Sequence, residues 1–160
     1  VLLLTGHGAP ELSQKAIVNL RNYITNGGKI IAEACCSDAV FDAAFRKLVT
    51  GMFPGRRLEA IPRTDQLYTR PYEIFAKPPQ TTAAWKKANG DKYPEAYGIR
   101  GQDGSWDLIY FPYDVTCAMD GDLEEDIIGL KASSAAEMLA NTITLMFGTQ
   151  SSEKNGGDAK

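Results

Sequence analysis

A three-layer α/β domain built on a parallel sheet is the fold this sequence predicts, and three observations predict it. Two apolar runs, 1–5 and 29–35, are each followed by a segment of helical periodicity. A third apolar run, 106–113, follows an Asp-Gly turn signal. Strand, helix, strand, helix with short links is the signature of right-handed βαβ units, whose strands run parallel and whose following turns open on one edge.

The first run, Val1-Leu2-Leu3-Leu4-Thr5, is continuous rather than alternating, as expected of a strand buried on both faces, and Gly6-His7-Gly8-Ala9-Pro10 ends it. Ser13 suits an N-cap, Ile17, Leu20 and Ile24 recur at spacings of three and four, and Asn26-Gly27-Gly28 supplies a left-handed stop. After the second run, Asp38 can cap a helix carrying Val40, Phe41, Ala44, Phe45, Leu48 and Val49 up to Gly51. Residues 57–61 read as a short strand closed by Pro62. Segment 62–104 is rich in proline and aromatics (Tyr68, Tyr72, Phe75, Trp85, Tyr93, Tyr97), with a short helix expected within 81–89. An insertion of that length either drapes over the carboxyl edge of the sheet or packs as a surface loop.

Residues 98–113 read as a hairpin, because Asp103-Gly104 between two apolar runs is a strong turn signal. Ser134-Ala135-Ala136-Glu137 has capping-box form ahead of Met138, Leu139, Thr142, Ile143, Leu145 and Met146, which predicts a last helix on the sheet. Residues 1–148 are expected to form one domain and 149–160, polar and aperiodic, a disordered tail.

With 160 residues, a net charge of −3 and a pI near 5.2, the chain carries no basic footprint, so nucleic acid is not an expected partner. No apolar run approaches the roughly 20 residues of a membrane span, so direct insertion of this segment is not expected either. The first residue is Val1, already inside a strand-like run, and upstream sequence is therefore expected. Compartment stays open.

Three cysteines, two of them adjacent, make neither a disulfide framework nor a C-x-x-C zinc pair. The sequence assigns no metal and no cofactor. The acidic residues Asp120, Asp122, Glu124, Glu125 and Asp126 lack the order of an EF-hand loop and read as a solvated face.

Ligands of open parallel sheets bind outside the carboxyl ends of the strands. His7, the single histidine, stands there between Gly6 and Gly8 and is a candidate general base, or a side chain bonded to a neighbouring carbonyl. Cys35 and Cys36 stand at a strand-to-helix turn, where a helix N-terminus favours a thiolate and offers N–H groups to an oxyanion, and where a small inert residue would pack equally well. Strand alternation lets at most one of the two thiols face the cleft. Ser37, Asp114 and Glu33 are further candidates, and a buried Glu33 requires partners, for which Arg63 or Arg70 are available.

The pattern Thr5-Gly6-His7-Gly8, Leu20-Arg21-Asn22-Tyr23-Ile24 with Gly27-Gly28, Phe41-Asp42 with Phe45-Arg46, Phe53-Pro54-Gly55-Arg56-Arg57-Leu58, and Asn141 resembles the bacterial domain of unknown function 4159. The resemblance implies a flavodoxin-like core whose first βαβ section precedes Val1, and a parent that is extracytoplasmic or attached to a membrane-anchored assembly. The family's acidic pair is here Glu33-Ala34-Cys35-Cys36, and its Asp-His-Pro segment is Asp65-Gln66-Leu67. More distantly, residues 29–35 resemble the nucleophile strand of class I glutamine amidotransferases, with Cys35 at the nucleophile position. Glu33 and Ser37 stand where that elbow has small residues, and no histidine follows His7. Two functions are therefore expected in turn: a non-catalytic binding or assembly module for a protein or small polar ligand, or a divergent hydrolase using Cys35 or Cys36 with His7.

Overall fold

A computed structural model describes residues 1–77, 79–119 and 127–148. Among these, five strands form one sheet in the order β1 (Leu2–Gly6), β2 (Ile30–Ala34), β5 (Trp106–Phe111), β4 (Tyr97–Arg100), β3 (Glu59–Ala60). The first three are mutually parallel and β4 runs against both its neighbours, so four of the strands share one direction. The sheet is thus mixed and mostly parallel. The acidic residues at 120–126 and the tail from 149 lie outside the described residues.

Strand periodicity divides the core. Ile30, Ala32 and Ala34 of β2 with Leu108 and Tyr110 of β5 face α1 (Gln14–Thr25) and α2 (Ala39–Met52), while Ile31, Ile109 and Phe111 face the other way. On that second face lie α5 (Ala132–Gly148) and residues of α3 (Gln66–Thr69) and α4 (Ala83–Asn89). Both α1 and α2 start where their caps require: Ser13 Oγ accepts from Ala16 N at 3.2 Å and Asp38 Oδ1 from Phe41 N at 2.6 Å. The 98–113 hairpin forms as expected, and Gly98 is required in it because a Cβ there would lie 2.5 Å from the Trp106 ring.

Among the described residues β1 ends the strand order, with Val1, Leu2 and Leu3 45%, 39% and 50% exposed. Two expectations are corrected. Ser134 does not cap the last helix, which begins at Ala132; it is buried within it and its hydroxyl accepts from Gln80 N. Segment 62–104 is neither a drape nor a loose loop. It supplies Leu67, Tyr68, Ile74, Trp85 and Ala96 to the core, and Asn141 of α5 pins it by donating to Leu67 O and Tyr72 O and accepting from Tyr72 N.

Phe45 is fully buried, with Phe41 and Tyr110 rings at 5.7 and 4.5 Å. Phe45→Ala should cost about 3–5 kcal/mol, read from urea unfolding with an unchanged m-value.

Candidate functional site

Because β1, β2 and β5 are parallel, their carboxyl ends deliver the Gly6-His7-Gly8 turn, the Cys35–Ser37 turn and Asp114 to one edge. Two buried carboxylates brace that edge. Glu33, 1% exposed, accepts from Thr5 Oγ1 (3.0 Å), Val115 N (3.2 Å), Thr116 N (3.1 Å) and Thr116 Oγ1. Neither expected arginine forms an ion pair with it: Arg63 stacks over Phe75 and Tyr93, and Glu33 is satisfied by hydroxyls and backbone N–H groups. Asp114, 0% exposed, accepts from Cys36 N (Oδ2, 2.9 Å) and Ala118 N (Oδ1, 3.2 Å). It thereby ties the turn after β2 to the turn at Cys117–Met119.

The turn after β2 leaves the strand geometry at once. Cys36 (φ 53°, ψ 25°) and Ser37 (φ 56°) both adopt left-handed backbone, a conformation that non-glycine residues rarely take. Strand alternation therefore does not separate the two thiols: Cys35 Sγ and Cys36 Sγ lie 3.8 Å apart, and Cys117 Sγ comes to 3.1 Å from Cys35 Sγ. With an Asp114 oxygen, the three sulfurs form a cluster whose donor atoms all fall within 4.8 Å of one another. Burial pushes the Cys35 thiol up to about 11. Burial, then the Cys35 thiol and the Asp114 carboxylate, push Cys117 up as well.

The remaining candidates support this turn or stand apart from it. Ser37 donates its hydroxyl to Ile128 O at 2.6 Å, fixing the turn to the strand-like segment that runs beside Asp114. Gly8 (φ 70°) donates its N–H to Asp38 Oδ1, and Gly6 lies 3.5 Å, by a built Cβ, from the Phe41 ring. The Phe41 and Gly8 N–H groups hold the Asp38 carboxyl below its ordinary range, with a smaller effect of His7. His7 itself is exposed and hydrogen-bonds to none of the three thiols. Among the described residues, cavities of about 270–500 Å³ are lined by other parts of the molecule, and His7, Cys35 and Cys36 are in none of those linings.

Cys117 and the braces from Thr5 and Thr116 were not readable in the sequence. Cys117 is 82 residues from Cys35, and its only local signal is its position three residues beyond the Asp114 that ends the β5 run. Gly129 was equally silent: a Cβ there would lie 2.3 Å from Asp114 O, so only glycine lets the 127–130 segment approach.

Glu33→Met keeps much of the volume but leaves the Val115 and Thr116 N–H groups without their acceptor, and should cost about 2–3 kcal/mol in chemical denaturation. Gly129→Ala should cost about 2–3 kcal/mol by overpacking against Asp114, visible as a lower Tm.

No curated protein matches the chain. The family model described as a domain of unknown function, DUF4159, matches residues 1–147, and with that match spanning most of its length the chain belongs to the DUF4159 family.

Proposed function

We propose that this domain is a non-catalytic binding or assembly module on a flavodoxin-like, glutamine-amidotransferase-like scaffold, taking a protein or small polar ligand. The observation that carries the reading is the use already made of the groups a cysteine hydrolase would need. In such an enzyme the N–H of the residue after the nucleophile serves the oxyanion. With Cys35 as nucleophile that donor is the Cys36 N–H, and it is spent on the buried Asp114 carboxylate at 2.9 Å. The histidine gives the hydrolase no support either, since His7 is exposed, makes no hydrogen bond to a thiol and acts electrostatically on Asp38.

Alkylation by iodoacetamide, resolved cysteine by cysteine by peptide mass mapping on chelator-treated protein, separates this reading from the divergent hydrolase. His7→Ala should leave all three rates within about twofold, because a base that does not reach a thiol cannot activate it. A slowing of about tenfold or more at Cys35 or Cys36 would restore the hydrolase.

A further inference from the structure

We infer that Cys35, Cys36, Asp114 and Cys117 form a binding site for one thiophilic divalent cation, zinc foremost. The inference deepens the binding-module reading by naming a ligand for its turn, and rests on that reading in taking the turn as a ligand site.

Donor geometry is the first argument. A tetrahedral zinc with Zn–S bonds of about 2.3 Å holds its sulfurs about 3.8 Å apart. Cys35 and Cys36 already stand at 3.8 Å, Cys117 stands 3.1 Å from Cys35, and the full donor set falls within 4.8 Å. The Cys35–Cys117 pair has to open by about 0.7 Å to reach the tetrahedral edge.

Backbone shape is the second. Neighbouring residues of a strand point to opposite faces, so two adjacent cysteines can ligate one ion only if the chain turns between them. The left-handed Cys36 and Ser37 make that turn without a glycine, a costly conformation that the surrounding hydrogen bonds hold in place.

Charge is the third. Asp114 is fully buried, and no Lys, Arg or His side chain forms an ion pair with it among the described residues. A cation beside it would offset the cost of burying that carboxylate. Its two backbone bonds, from Cys36 N and Ala118 N, fix its orientation as outer partners of a metal ligand do, and leave further lone pairs on both oxygens. Cys36 and Cys117 are half-buried rather than sealed, which leaves an entry path. The soft thiolate set selects zinc, or cobalt as its spectroscopic stand-in, over calcium or magnesium. Each thiol that binds releases its proton to water as the S–metal bond forms, so no oxidant or reductant is required.

The test uses the whole chain, reduced and stripped with chelator, titrated with zinc against a chromophoric chelator and with cobalt by absorption. The expected result is one ion per chain, a sulfur-to-cobalt charge-transfer band and the visible bands of tetrahedral cobalt. Cys36→Ser and Cys117→Ser, checked for folding by circular dichroism, should each weaken zinc at least tenfold and reduce the charge-transfer band, while His7→Ala leaves both unchanged. Uptake that neither serine variant alters, or a cobalt spectrum without sulfur ligation, overturns the proposal. So does a Cys35–Cys117 disulfide in protein purified without reductant, combined with no zinc uptake after reduction. Failure here with His7-independent alkylation leaves the binding-module reading standing, whereas His7-dependent alkylation overturns that reading whatever zinc does.

Discussion

Two carboxylates are buried at the carboxyl edge of the sheet with no cationic side chain paired to either among the described residues, and the arrangement of that edge follows from satisfying them. A buried carboxylate deprived of partners costs several kcal/mol, so every donor it uses becomes a positional constraint. Glu33, on the central part of the sheet, takes donors from the end of β1 and from the chain just beyond β5. Asp114 takes its donors from the turn after β2 and from the turn at Cys117–Met119. Three stretches distant in sequence, at Thr5, at Cys36 and at 115–118, are thereby fixed by two side chains, and the three thiols meet because the segments that carry them are held this way.

The rest of the molecule supplies rigidity to that edge. Several of the residues by which the chain resembles its family do this work away from the thiols. Asp42 accepts from Tyr110 Oη at 2.7 Å and from Arg46 Nε at 2.8 Å, and the Arg46 guanidinium lies 4.5 Å from the Tyr97 ring centre, so one helix face is keyed to both strands of the hairpin. At the opposite end of the sheet Arg56 and Lys29 both meet Asp107. These motif residues thus hold α2 and the strands in register, while Thr5 and Gly8 of the same pattern brace the edge that carries the cysteines.

How much of this was legible follows from range. Local signals were reliable: Ser13 and Asp38 cap the helices they were expected to cap, and Asp103-Gly104 turns the hairpin. Features set by long-range contact were not. Ser134 has the right spacing for a capping box, yet its hydroxyl accepts from Gln80, 54 residues away. Glu33 was read as needing partners, correctly, but arginine was assumed where hydroxyls and backbone N–H groups serve. The alternation rule separated Cys35 from Cys36 because it presumes the strand continues, and the strand ends at Ala34.

That early end of β2 also distinguishes this turn from a nucleophile elbow. An elbow uses a strained residue to lift its side chain clear of the strand while the next N–H stays free for the developing oxyanion. Here the strained residues are Cys36 and Ser37, the Cys36 N–H is engaged by a carboxylate, and the Cys36 thiol lies against a second thiol. Placing negative charge at the position where an oxyanion would form raises the barrier to acyl transfer rather than lowering it. The same carboxylate, set among three sulfurs, is well placed to attract positive charge. On the cation site proposed above, the strain that an elbow uses to present one nucleophile instead gathers several donors around a common point.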